Sequence, residues 1–467
     1  MARGRVRPRM VARPRGDARI PVLLGVLLGM TGLGSTAGST VLPVMAADLH
    51  VALGVAAWSI TVYALIMAVG SAIYGRLLDV VGIRTPFVVA MVLYASGALL
   101  AAVSPNFDVL IMARVLHSAG AAALPILSPA LLSSLHDAHD RDRALGQFLG
   151  AAVVLGALGP VVGGIVGDVL GWRAVMALPL VGVTAFPFLW RALVARGSGA
   201  RLDLAGAVVV SMTAAGAVLL LQSPATGTVV AAVGAVLLLL GVPAVLLHLR
   251  RRPDGFLPLT VLTNRVIARS AVCAAPVLAA WFALLITVPV VLVGRGWQPA
   301  HVGLALIPAV VVGLAMPRIA GQMLVTVGAR NSLAWALSAS TLALVLGGVG
   351  SLASLPIGLV AALLVGAVSC VIVAMSLGQP ALTAVVAGAA EPETRGVALG
   401  TANLLFALGG GLGAAVVGGL TEFLGTPTTL GLIAAASIVG LASIRGVTSE
   451  RVAAHKTEEP VCGPTHT

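Results

Sequence analysis

The chain has 467 residues, of which 59% are hydrophobic and only 9% charged, with a net charge of +12. A typical soluble domain carries about 25% charged residues, and so few charges do not cover a water-facing surface. The composition therefore excludes a soluble enzyme, a disordered chain and a secreted disulfide scaffold, and leaves the lipid bilayer as the solvent for most of the exterior.

Residues 1–19 form an arginine-rich tail, followed by an apolar run from Ile20 to about Ala47. This pair mimics a signal peptide, but the run is too long and many spans follow, so it reads as the first membrane helix. Apolar stretches of about 20 residues then repeat along the chain, each bounded by charge, proline or glycine. They predict helices over 20–46, 53–77, 85–104, 108–134, 143–168, 172–193, 203–221 and 227–248. Six more are predicted over 264–293, 300–325, 328–352, 355–387, 393–420 and 426–446, giving fourteen.

With the N-terminus in the cytoplasm, Lys and Arg gather on one side. The opposite side keeps only Arg173 and Arg295, and Arg114 is left inside a helix. This asymmetry places both termini in the cytoplasm. Arg250, Arg251 and Arg252 flank an apolar run without interleaved aromatics, which points to topology rather than nucleic-acid binding. Cys273, Cys370 and Cys462 are far apart, with no spacing for a metal or a disulfide framework.

An internal repeat is visible. Arg141, Ala144, Leu145 and Gly146 recur as Arg395, Ala398, Leu399 and Gly400. At the same offset Gly156, Leu158, Gly159, Val162 and Gly164 recur as Gly410, Leu412, Gly413, Val416 and Gly418. Gly75, Gly82 and Arg84 correspond to Gly321, Gly328 and Arg330 at a nearby offset. The repeat predicts a six-helix bundle over 20–194, an inserted pair over 203–248 and a second six-helix bundle over 264–446. A cytoplasmic tail is predicted over 447–467. Parallel halves of this kind are a transporter architecture.

The loop after the second helix reads Gly75-Arg76-Leu77-Leu78-Asp79-Val80-Val81-Gly82-Ile83-Arg84. It resembles the signature loop of the major facilitator superfamily. The glycines permit a tight turn and close approach, and Asp79 at a helix end suits the positive N-terminus of a neighbouring helix. The resemblance implies a gating loop of Gly75, Asp79, Gly82 and Arg84, with the start of the thirteenth helix near Thr394 as the partner of Asp79. The fourth helix carries Arg114-Val115-Leu116-His117-Ser118-Ala119-Gly120, which is similar to that superfamily's helix-4 motif with His117 in place of Gln. A charge within a membrane helix costs at least about 2.5–3.5 kcal/mol, so Arg114 is expected to face a protein or water-filled interior. His117 shares its helix face, and two roles are open: a carrier of the coupling proton, or a neutral hydrogen-bonding stand-in for Gln.

The fifth helix contains Gly156, Gly159, Pro160, Gly163 and Gly164. This run looks like the motif of drug–proton antiporters, in which proline bends the helix and small residues let backbones approach. The resemblance implies a hinge and favours export. Trp58 to Tyr63, Gly171-Trp172-Arg173 and Asp203-Leu204-Ala205-Gly206 match further. Together these features resemble the fourteen-helix drug–proton antiporter family. The implied fold is all-α and membrane-embedded, with two six-helix bundles plus two central helices. The implied function is export of hydrophobic, antibiotic-like molecules across a bacterial cytoplasmic membrane in exchange for protons, by a monomer with no cofactor. Import of a metabolite is the alternative.

One departure stands out: no acidic residue falls mid-membrane, and Gly34 stands where that family often has an acid. Asp48, Asp108 and Asp168 are peripheral candidates. A substrate cavity lined by Ser35, Ser39, Tyr63, Gln379 and Asn403 is expected, suited to neutral or anionic compounds. A membrane enzyme would need a metal cluster or a nucleophile–base pair. The only dense cluster, His136, Asp137, His139 and Asp140, reads as a solvated loop.

Overall fold

The computed structural model describes residues 19–135, 138–193, 203–253, 255–391 and 394–457. Its described residues are overwhelmingly helical, with no strand among them. The membrane-length helices are α1 Ile20–Thr40, α2 Leu53–Leu78, α3 Arg84–Ala102, α4 Phe107–Leu135, α5 Arg143–Leu170 and α6 Trp172–Ala192. An inserted pair follows as α7 Leu204–Thr226 and α8 Thr228–Arg251. The second half is α9 Arg265–Gly294, α10 Ile307–Thr326, α11 Ala329–Gly350, α12 Ile357–Ala389, α13 Arg395–Leu424 and α14 Thr426–Ile444. Thirteen helices pass as spans outright, and the bent α5 brings the number to 14.

Prolines and small residues explain where spans are interrupted. The first helix stops at Thr40, short of the expected 46, and Leu42–Asp48 restarts with Pro43 in its first turn. There the missing N–H has no helical partner to lose. The fifth span bends by 43° between Ala157 and Gly159, next to Pro160, as the sequence predicts. The sixth is broken into Trp172–Ala177, Pro179–Val183 and Phe186–Leu189, the last two with proline in their first turn. Gly82 and Gly328, paired by the internal repeat, close the loops before α3 and α11 at φ 77° and 82°, a left-handed conformation that favours glycine.

Within the first half α1 packs on α5, α3 on α4 and α2 on α4. Within the second, α11 packs on α12 and α14, and α9 on α12 and α13. The inserted pair is a hairpin turned at Gly227, with Gly216 and Gly234 at its crossing. Its first helix, α7, lies against α13 and α2.

Fourteen spans bring the start of α1 and the end of α14 to one face, the terminal face. The halves meet along two seams near the opposite face. In one, α2 meets α13: a Cβ on Gly54 would lie 2.7 Å from the Gly418 carbonyl oxygen. In the other, α5 meets the short helix Pro299–Ala305: a Cβ on Gly164 would overlap the Pro299 carbonyl, and one on Gly303 the Pro160 carbonyl. Asp168 accepts a hydrogen bond from the Ala300 backbone N–H at 3.0 Å across the same seam.

Candidate functional site: a cavity between the halves and a buried arginine

Near the terminal face the halves part around a cavity of about 530 Å³. Its wall is formed by Ser71, Gly75 and Arg76 of α2, Gln379 and Thr383 of α12, and Thr401 and Asn403 of α13. Phe256 and Leu257 of the α8–α9 connector complete it. Of the five residues expected to line a substrate cavity, Gln379 and Asn403 line this one. A smaller chamber of about 60 Å³ sits between the halves, lined by Thr36, Ser39, Thr40, Pro160, Trp281 and Val302 among others. Ser39 belongs to this chamber rather than to the larger cavity. Ser35 and Tyr63 line neither; both are buried, and Tyr63 packs elsewhere.

That place is Arg114. Its helix starts at Phe107, just after Asn106, whose side chain caps the Val109 N–H at 3.0 Å. Arg114 lies seven residues further in, about 10 Å of helical rise, and is 3% exposed. Its Nε donates to the Ser59 carbonyl of α2 at 2.9 Å, and its guanidinium sits 4.7 Å from the centre of the Tyr63 ring. Its Nη1 lies 3.5 Å from His117 Nδ1. A guanidinium only donates, so Nδ1 is the acceptor and the His117 proton sits on Nε2. Among the described residues Arg114 forms no ion pair. Among the described residues neither His117 Nε2 nor the hydroxyl of Tyr94, whose ring lies 4.6 Å from that of His117, has a hydrogen-bond partner. The nest is thus a buried cation held by a carbonyl, a ring face and a neutral imidazole.

The fifth-helix glycines act by close approach. A Cβ on Gly159 would overlap Thr36, and one on Gly163 would overlap Ala37, both in α1; Gly164 faces the other half instead. Gly156 borders the small chamber. In the loop expected to act in gating, the Asp79 side chain lies outside the described residues, and so does its expected pairing with the start of α13. Arg84 stacks over Trp190 of α6 at 4.3 Å. Of the loop cluster near residue 138, His136, Asp137 and the side chain of His139 also lie outside the described residues. Among those described, no group of three His, Cys, Asp or Glu side chains is placed to hold a metal.

Two acids are tied into networks. Asp48 accepts from Trp172 Nε1 at 2.9 Å and from Arg173 at 2.7 Å, and these hydrogen bonds hold its carboxyl below the usual value. Asp203 caps Gly206 at 3.1 Å, and its other oxygen takes His248 Nε2 at 2.7 Å and the Phe256 N–H at 2.8 Å. Burial alone would raise its carboxyl; the His248 and backbone hydrogen bonds together outweigh that and leave it lowered. Sequence reasoning missed the role of Arg76, which donates to the carbonyls of Gly255 and Phe256 at 3.0 and 3.3 Å. The inter-half bond of Asp168 was also missed, because a helix-end acid carries no mark of what it caps.

The sequence matches the profile of the Major Facilitator Superfamily over residues 24–376. The chain belongs to this superfamily. It is 28% identical over 145 residues to the riboflavin transporter RibZ of Clostridioides difficile, covering 31% of this chain and 32% of that one. It is 28% identical over 292 residues to the multidrug resistance protein Stp of Mycobacterium tuberculosis, covering 58% of this chain and 52% of that one. The chain thus spans about a third and about half of the lengths of these two relatives. A crystal structure of the peptide transporter POT in complex with sulfate superposes with a TM-score of 0.69 at 15% identity, over 92% of this chain and 94% of that one. That likeness concerns the fold.

Proposed function

We propose that this chain exports apolar, neutral or anionic small molecules from a bacterial cytoplasm in exchange for protons, by alternating access. In this reading the terminal face is cytoplasmic, as the Lys and Arg asymmetry favours. The observation that carries it is the cavity between the halves: amides and hydroxyls of Gln379, Asn403, Thr383 and Thr401 on one side, and Arg76 as its charged group among the described residues. Such a wall offers hydrogen bonds to a mostly apolar molecule and no carboxylate to a cation. The buried guanidinium of Arg114, unpaired by any described acid, biases the same half against cations. Similarity to Stp, named as a multidrug resistance protein, supports export.

The test is a susceptibility panel in an efflux-deficient host, followed by transport in vesicles with an imposed proton gradient. Resistance to at least one apolar compound, with gradient-driven movement out of the cytoplasm, is expected. Gradient-driven uptake instead would replace export with import, and similarity to RibZ, named as a riboflavin transporter, would make a metabolite the cargo in that second reading.

A further inference from the structure

The inserted pair does more than pad the seam. Its last residues lead into a connector that folds back between the halves. Phe256 is 6% exposed and sits among Ala72 and Ile73 of α2, Ala207 and Val210 of α7, and Leu404 and Leu408 of α13. It therefore separates α2 from α13 at the same end where the cavity lies, and with Leu257 it forms part of the cavity wall. Two charged groups pin it from opposite sides. Asp203 at the start of α7 holds the Phe256 N–H and is itself held by His248 at the end of α8, with Arg252 at 3.9 Å. Arg76 of α2 holds the carbonyls of Gly255 and Phe256. Pinning a peptide by both its N–H and its carbonyl fixes the ring that lies between.

At the other face the same α7 touches both halves again. Gln222 donates to the Gly54 carbonyl of α2 at 3.2 Å, and its backbone lies against Gly419 of α13 so closely that a Cβ there would overlap the Leu221 carbonyl. The inserted helix thus clasps α2 and α13 together at the closed face and, through the connector, holds them apart at the open one.

We propose that the α8–α9 connector is a wedge: Phe256, seated by Asp203 and Arg76, keeps the terminal-face cavity open and must leave its seat before α2 and α13 close over it. This rests on the alternating-access reading above. A group that fits one of two states stabilises that state by its differential contacts alone. Removing the wedge therefore shifts the resting population toward the state open at the opposite face.

The full-length chain, with Cys273, Cys370 and Cys462 replaced by serine, carries one of two reporters. Thr383→Cys reads the cavity, and Ser39→Cys reads the small chamber behind the closed seams. Labelling with a membrane-impermeant maleimide is followed in intact cells and in inside-out vesicles. Phe256→Ala should raise labelling of the Ser39 reporter from the face opposite the termini several-fold, and lower that of the Thr383 reporter from the terminal face. Asp203→Ala should act in the same direction, and Phe256→Leu should stay near native. Each variant is first confirmed as a monodisperse peak on gel filtration; if Phe256→Ala does not pass, Asp203→Ala carries the same test. Unchanged labelling of both reporters, or a shift the other way, overturns the wedge. The assay uses no substrate, so failure of the export reading leaves its outcome standing.

Discussion

Adjacent glycines in the fifth helix face different partners, and this separates stability from conformational balance. A Cβ on Gly163 would overlap Ala37 of α1, within the same half; a Cβ on Gly164 would overlap the Pro299 carbonyl, in the other half. Overfilling a packed contact costs about 1–3 kcal/mol. In Gly163→Ala that cost is present in every state that keeps the first half intact, so it lowers stability and leaves the balance alone. In Gly164→Ala it exists only while α5 touches Pro299–Ala305, so it raises the energy of the closed seam and of nothing else. At a factor of ten per 1.4 kcal/mol, the ratio of open to closed seams rises by about 5- to 150-fold. Nitroxide labels at Val169 and Leu304, exposed positions on either side of the seam, report it by pulsed dipolar distance measurement. Gly164→Ala should add a longer distance that Gly163→Ala lacks, while Gly163→Ala should show the larger drop in melting temperature. Equal distance distributions in the two variants would refute the assignment of this seam as the gate.

Arg114→Met should reach the membrane at native levels, because a charge-assisted hydrogen bond of about 1.5–3 kcal/mol is offset by relief of several kcal/mol of burial cost; transport should be lost, and retained transport would remove Arg114 from the mechanism. His117→Gln keeps an acceptor for Arg114, so transport and its pH profile should persist; a displaced profile would return the proton to His117. Asp48 has a folded pKa below its unfolded one, so its small stabilisation is present at neutral pH and fades as pH falls through the folded value, below about 3.9. Asp48→Asn should flatten that acid limb in a thermal-melt series, and an unchanged limb would show that the Trp172 and Arg173 bonds contribute nothing.

The spans were legible because hydropathy in lipid is a one-dimensional signal: an apolar run of membrane length has few other structures open to it. The bend at Pro160 was legible for a local reason, a missing N–H, whereas the break before Pro43 lay inside a helix expected to run unbroken to residue 46. Burial of Arg114 followed from its cost. What the sequence hid was long-range. Tyr63 and Ser35 read as cavity polar groups because a hydroxyl in a helix does not announce its neighbours; the ring of Tyr63 instead supports the guanidinium of Arg114. The role of Arg76 was hidden because its partners are backbone carbonyls at Gly255 and Phe256, which carry no side-chain signature.

Scarcity of charge bears on how such a chain moves at all. In lipid, apolar helices gain no hydrophobic drive from meeting each other, so a seam is held by packing and by the polar bonds that cross it. Across the closed face the halves meet through apolar side chains and close glycine approaches to the Gly418, Pro299 and Pro160 carbonyls, with a hydrogen bond from Ala300 to Asp168, and the inserted helix adds one from Gln222 to Gly54. Individual van der Waals contacts are worth only about 0.1–0.2 kcal/mol each, and a typical hydrogen bond nets about 0.5–1.5 kcal/mol. Such a seam can part without leaving a buried ion unpaired, a step that would otherwise cost about 3–5 kcal/mol. The Arg114 nest sits within the first half, between α2 and α4, so it travels intact whichever face is open. A transporter whose fixed charge stays inside one body, and whose seams are nearly neutral, keeps its two states close in energy; the wedge at Phe256 is then enough to decide between them.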